Sequence, residues 1–295
     1  MDLIARLTEW EAGLVGVKSF NPVSAFNAAR TLVPSSQPSE LEALMRGIAE
    51  RFPRNPFYKK YGLFVSAAVD TMLRTAETIV VPLRIIDQTL QAKETLKLRD
   101  IYGGLTTLDY LGFRNRRERI VYDGDAGDRF CFEAGNGSTA DSPSTVALTG
   151  DAGAAAGAHQ RANSTIIILG NAGNRLNEHQ LDGVTYVGGD AGIRVNHLKV
   201  GGFTYVNGSV KRLAAKDMSG GGLVVSGSVG PNWASGLKGI AEVCICGKAA
   251  QYEADRPGGT IHVGTQMPPW AHDLSQKYMD EVTHLDLQGF TRYVA

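Results

Sequence analysis

Five side chains of the kinds that ligate metals or move protons recur in the later part of the chain: Glu133, His159, His179, His197 and Asp217, separated by 26, 20, 18 and 20 residues. Stacked copies of one unit would bring them onto one edge, a strand spacing of ~4.8 Å apart, where imidazole and carboxylate are zinc-ligand types. The competing reading is a row of exposed polar corners, because a lone histidine is usually not a ligand and a closed zinc site needs about four convergent groups. No metal ligand is therefore assigned. Arg129, Arg175 and Arg194 share another offset, and such a stripe suits either an acidic partner or a solvated face. Cys244-Ile245-Cys246 sets two thiols on one face of a strand, opposite Ile245. Cysteines at i and i+2 of one strand are poorly placed to bond each other, so they read as packing residues. The sequence contains no GxSxG elbow, HExxH, Walker lysine loop or Rossmann glycine fingerprint, and no catalytic residue is assigned.

The elements that hold these side chains announce themselves through glycine. Gly124-Asp125-Ala126-Gly127 recurs as Gly150-Asp151-Ala152-Gly153, Gly170-Asn171-Ala172-Gly173 and Gly189-Asp190-Ala191-Gly192, then weakens at Gly208, Gly227, Gly247 and Gly264. The intervals are 26, 20, 19, 19, 19, 20 and 17 residues, the signature of one unit stacked on copies of itself. Four and two residues before each glycine, from Ile120 and Tyr122 to Thr260 and His262, alternate positions predict the lumen of a β-helix. Leu181, Val200, Met218 and Leu237 predict a second inward row. The glycines read as corner residues, some at φ values that few other residues adopt cheaply. A phosphate cradle is the weaker reading, since no lysine follows and eight similar turns stand in a row. Three before each glycine, the outward row Val121, Ala147, Ile167, Tyr186, Tyr205, Val224, Cys244 and Ile261 is apolar, so it requires a cover. Helices between Pro56 and Leu98 are the expected cover, with a partner protein as the alternative.

Before residue 100 glycine is sparse and the period is helical. Asn21-Pro22 and Asn55-Pro56 place an N-cap before a proline at the first helical position, and Ser39-x-x-Glu42 matches a capping box. Four or five helices fit, with a break at Pro82 and an end at Tyr102-Gly103-Gly104. The organisation predicted is α+β: a helical region over 1–104, a right-handed parallel β-helix of seven to eight coils over 105–267, and a cap over 268–295.

The 30 basic and 30 acidic residues cancel, so no net field draws the chain to nucleic acid or an anionic membrane. Three cysteines without CxxC spacing argue against a disulfide scaffold and fit a reducing cytoplasm. The first residues lack a signal-peptide pattern, and the most apolar stretch, Tyr61 to Leu83, is broken by Asp70, Arg74 and Glu77, short of the ~18 uncharged residues of a span. Secretion and membrane insertion are not expected.

The run Leu181-Asp182-Gly183-Val184-Thr185-Tyr186-Val187-Gly188-Gly189-Asp190-Ala191-Gly192, with Gly170-Asn171-Ala172-Gly173 before it, resembles the GXGXG-type β-solenoid. That solenoid forms the C-terminal domain of the glutamate synthase large subunit and one of the subunits of formylmethanofuran dehydrogenase and of the related formyltransferase/hydrolase complex. The resemblance covers residues 119 to 265. It departs from the pattern after Gly208, keeps the Met-x-Gly-Gly corner only at Met218-Ser219-Gly220-Gly221, and carries an insertion within 128–149. It implies a right-handed β-helix that organises other subunits and holds no catalytic residues. The expectation is a scaffold without cofactor whose partners are other protein subunits or further copies of itself. The alternatives are an enzyme subunit with a metal or carbohydrate site on the outer face, and a self-assembling structural protein. Glycoside chemistry would need paired outward carboxylates, and the outward row is apolar.

Overall fold

The computed structural model describes residues 2–15, 17, 19–51, 58–72, 78–92, 107–116, 119–250, 258–264 and 267–284. Five α-helices precede the solenoid among these: α1 (Leu3–Leu14), α2 (Pro22–Leu32), α3 (Glu40–Arg51), α4 (Tyr61–Thr71) and α5 (Arg84–Ala92). Asn21 caps α2 as its sequence predicts, its side chain accepting from the backbone N–H groups of Val23 and Ser24, with Pro22 following. At α3 Glu40 reaches back to the Gln37 N–H (2.8 Å), while Glu42 pairs with Arg46 (2.7 Å), so the Ser39/Glu42 box is replaced by a neighbouring one. Asn55-Pro56 and Tyr102-Gly103-Gly104 lie outside the described residues.

Helix α4 is buried on every side from Tyr61 to Asp70, which marks it as the centre of the helical layer. Trp10 of α1 packs against Tyr61 and Phe64, and its indole N–H donates to Ala25 O at 2.8 Å. The middle of α4 meets the first solenoid turn, where Ser66 Oγ lies between Gly62 O (2.7 Å) and Tyr110 O (3.0 Å), and beside it Phe26 packs edge-on to Phe113 (5.2 Å). Residues Ile79 to Val81, expected in a helix, form strand β1 instead. Their pairing with Ile120–Tyr122 adds a strand to the sheet, a tertiary contact that outweighs the local helical spacing.

Strands β1 (Ile79–Val81), β2 (Arg119–Tyr122), β3 (Ser144–Leu148), β4 (Ser164–Ile168), β5 (Val184–Val187), β6 (Phe203–Val206), β7 (Gly222–Val225), β8 (Glu242–Ile245) and β9 (Thr260–Val263) make one parallel sheet in sequence order. The chain is a parallel β-solenoid of about six turns, fewer than the seven to eight that the glycine count suggests. A second side is a ladder of single bridges, Ala126–Ala152–Ala172–Ala191–Val210–Val229–Ala249. The third is a run of tight turns in which every second residue has a positive φ, as at Arg175, Asn177 and His179. The insertion adds a short excursion closed by the antiparallel bridge Thr139–Ser142.

The lumen rows are buried as expected from Ile120 and Tyr122 through Val243 and Ile245. Two assignments fail. At the last coil the register is one residue later: Ile261 pairs with Val243 and Val263 with Ile245, so Thr260 and His262 are not the inward residues and His262 joins Cys244 on the outer face. The 17-residue spacing to Gly264 is too short to hold the earlier phase. In the second inward row Met218 and Leu237 are buried, but Leu181 and Val200 are 42% and 55% exposed. Gln180 and Lys199 point inward in their place, both with no exposure.

Among the described residues the outward row is covered by the chain itself, though not by helices α1 to α5. Helix α6 (Pro269–His284) lies on it and contributes Ala271, Leu274 and Tyr278 to a core with Val121, Ala147, Ile167, Tyr186, Tyr205, Val224 and Cys244. Tyr278 stacks on Tyr186 and Tyr205, each at 5.4 Å. Helices α1 to α5 belong to the lumen's core, so they close its first end rather than cover its face.

Candidate functional site

The glycine turns prove to be polar ladders. Asp151 N donates to Asp125 Oδ1, Asn171 N to Asp151 Oδ1, Asp190 N to Asn171 Oδ1 and Ser209 N to Asp190 Oδ1, at 2.7 to 2.9 Å. Each coil's Asp, Asn or Ser thereby occupies the backbone donor that a phosphate would need. This also explains the glycines: a Cβ on Gly170 or Gly189 would collide with the Asp151 or Asn171 side chain of the coil before. Of the eight turn glycines Gly124 and Gly264 have positive φ, whereas Gly150, Gly170, Gly189, Gly208, Gly227 and Gly247 are needed for close approach.

The ladder of imidazoles and carboxylates does form on the positive-φ side. Glu133, His159, His179 and Asp217 hold equivalent places at φ 56, 58, 55 and 55°. His197 does not, since Leu198 takes that place and His197 sits one residue earlier, level with Glu178. The rings of His159 and His179 stack at 5.2 Å with 1° between planes, which sets their nitrogens side by side rather than converging. Burial, then the neighbouring His179, lowers the pKa of His159. His197 bridges coils, with Nδ1 at 3.0 Å from Glu178 Oε1 and Nε2 at 3.7 Å from Asp217 Oδ2. Glu133 turns away from the histidines to Arg114 (2.7 Å) and Asn136 (3.3 Å). Among the described residues no three His, Cys, Asp or Glu side chains are placed to hold a metal ion. Arg129, Arg175 and Arg194 do share one place, at φ 60, 60 and 64°. Arg129 lies over the Tyr110 ring, and Arg175 is 3.9 Å from Glu178.

Sequence reasoning missed a polar cluster inside the lumen. Gln160 Oε1 accepts from Gln180 Nε2 (2.7 Å) and Thr185 Oγ1 (2.8 Å), and Gln180 Oε1 accepts from Lys199 Nζ at 2.6 Å. Lys199 Nζ also reaches Thr204 Oγ1 (3.0 Å), which accepts from Asn177 Nδ2 (2.8 Å) and donates to Asn196 Oδ1 (2.9 Å). Burial holds the Lys199 amine well below the ordinary lysine range, against a weaker opposing pull from Asp182. The signal available was Thr185 and Thr204 in lumen positions on successive coils, each preceded eight residues earlier by an asparagine.

Cys244 is buried under α6 and Cys246 is half-buried; both are free, and burial raises both thiols. Comparison with known families, with curated proteins and with solved structures finds no match to this chain. Among the described residues no helix is long and apolar enough to cross a membrane.

Several large apolar side chains are exposed among the described residues, Val15, Val17, Val263 and Met279 among them, and a further group gathers at one corner of successive coils. That corner carries Leu181 (42% exposed), Val200 (55%) and Ile240 (85%), with Phe203 (41%) at its edge, where the ring also meets Trp270 of α6 at 5.9 Å. Between them run Gly201-Gly202 and Gly220-Gly221, which raise no side chain above the backbone; a Cβ on Gly220 would lie beside Ile240.

Proposed function

We propose that the protein is a non-catalytic assembly subunit, a GXGXG-type solenoid that presents one flat corner to partner proteins or to further copies of itself in a cytoplasmic complex. The complexes that the sequence pattern resembles, glutamate synthase and formylmethanofuran dehydrogenase, make C1 or glutamate/amide metabolism the setting to test first. What carries this reading is the corner of Leu181, Val200, Phe203 and Ile240. Three large apolar side chains, Leu181, Val200 and Ile240, stand there beside paired glycines, with Phe203 at the edge against Trp270, while the equally apolar outward strand row lies under α6. Exposed apolar surface rimmed by polar groups is the usual mark of a protein contact, and stacked coils extend such a surface over several strand spacings. The arginine ladder gives a neighbouring corner a fixed positive charge that would orient a partner.

The test is a paired capture from extract of the source cells, with the parent and a Val200→Asp/Ile240→Asp variant immobilised side by side. Both sites are exposed, so the variant is expected to melt within about 0.5 kcal/mol of the parent. A chain retained by the parent and lost by the variant, or a self-associated state in light scattering lost by the variant, supports the reading. Equal retention by both proteins, with no self-association in either, contradicts it.

A further inference from the structure

A cavity of about 110 Å3 opens where the helical cap meets the first coils, several times the roughly 10–15 Å3 that one water needs. Arg30 of α2, Arg114 and Arg116 converge on it, with Asn27 and Asn136 on its walls. Asp70, 5% exposed, lines the cavity, and its carboxylate accepts from Arg116 Nε (2.9 Å) and Nη2 (3.1 Å) and forms an ion pair with Arg30 Nε at 2.8 Å that lacks hydrogen-bond geometry. Arg114 Nε holds Glu133 at 2.7 Å, and its guanidinium lies over the Phe113 ring. Arg30 is likewise braced on Phe26.

The hydrogen bonds orient the Arg114 guanidinium through Nε and that of Arg116 through Nε and Nη2, while Arg30 is held by charge and by the Phe26 ring. Among the described residues the Nη groups of Arg30 and Arg114 and Nη1 of Arg116 make no hydrogen bond, so the cavity is rich in donors, while Asp70 on its wall and Glu133 behind Arg114 are already engaged. Three arginines against Asp70 and Glu133 leave one positive charge among the described residues here (+3 − 2 = +1). The three arginine side chains stay partly open to solvent, at 37%, 28% and 43% exposure, so the cavity is reachable from solvent.

We propose that this junction is a binding site for a phosphoryl group. Guanidinium groups match phosphate oxygens, and the Nη edges of Arg30 and Arg114 with Nη1 of Arg116, from α2 and two places in the first coil, suit a tetrahedral oxyanion with several acceptors better than a planar carboxylate. The volume admits the phosphoryl head and leaves the rest of a small phosphate monoester in solvent. Because the arginines belong to both the cap and the solenoid, an occupant stitches the two together, independently of any partner on the apolar corner.

Calorimetric titration of the full chain in 150 mM chloride, roughly physiological ionic strength, tests this with inorganic phosphate and with glycerol phosphate as separate arms. Saturable one-to-one binding is expected, together with a rise in melting temperature that matched chloride does not reproduce. Tighter binding of the monoester would mark an organic phosphate as the ligand, and equal binding the free ion. Arg114→Gln, which leaves the Asp70 grip intact, and Arg114→Lys, which keeps the charge but loses the fork, should each weaken binding tenfold or more. Each variant is first checked for the parent's circular dichroism. Should Arg114→Gln not fold, Arg30→Gln carries the same expectation. Absence of saturable binding, or unchanged binding in the folded variants, overturns the proposal.

Discussion

Lys199 shows most sharply how one residue conflicts with its surroundings and is accommodated. It has no exposure, and its partners are the neutral oxygens of Gln180 and Thr204, so burial disfavours the ammonium and lowers its pKa well below the ordinary 10.5. Unfolding returns the amine to water, where it binds a proton. Between the depressed native pKa and 10.5 the unfolded state holds more protons, so stability rises with pH by up to about 1.4 kcal/mol per unit and levels off above that value. Urea unfolding between pH 7 and 9.5 should show this slope in the parent and lose it in Lys199→Met. Parallel curves for the two would mean that Lys199 is protonated in the native state. The cluster was partly legible, because Thr185 and Thr204 stand at lumen positions. Leu181 and Val200 obscured it, since an apolar residue beside a polar one draws the inward assignment; only the mutual satisfaction of Gln160, Gln180, Lys199 and Thr204 makes the polar choice stable.

Among the elements, α6 carries the least expected role. The helical pattern from Leu274 to Val282 is visible in the sequence, but which face a helix covers depends on the sheet it meets. The alternation of the strands made the need for a cover legible without naming the cover. Likewise Asn21-Pro22 was readable because a cap is local, whereas the three residues of β1 take their state from β2, far along the chain. If α6 seals the outward row, Leu274→Asp should lift it and open Cys244, now 1% exposed, to thiol reagents. In a Cys246→Ser background the parent should titrate slowly and the Leu274→Asp variant at least tenfold faster. Burial pushes the Cys244 thiol up to about 12, so exposure raises both access and thiolate fraction. A Cys244 that stays equally protected in the variant would show that α6 is not what shields it.

At the scale of the whole molecule, the period was legible because each coil touches only its neighbours, and the glycine and Asx turns must therefore repeat with every coil. The side built from alternating positive φ was not legible. Arg175, His179, Leu198 and Ala215 hold φ between 53 and 60° without any compositional mark, each at a local cost of about 1–2 kcal/mol that the inter-coil bonds must offset. Such bonds run to both neighbours, as from Ala215 N to Val195 O and from Asp217 N to Ser235 O, so stability should be shared coil by coil. Deleting Gly208 to Ser226 removes one whole period of 19 residues and brings Gly227 to the place of Gly208. Ser228 N would then meet Asp190 Oδ1, Val229 would face Ala191, and Val243 and Ile245 would lie on Thr204 and Val206. Every row keeps its face. The shortened chain is expected to unfold in one cooperative transition with a smaller urea m-value, in line with the surface removed. Deleting Gly208 to Asp217 cuts the period in half, offers the strand at 222–225 to the wrong side of its neighbour, and should give no cooperative transition. If the full-period deletion is as unfolded as the half-period one, the coils are not interchangeable nearest-neighbour units, and the cap, the lumen and α6 fold only as a single indivisible body.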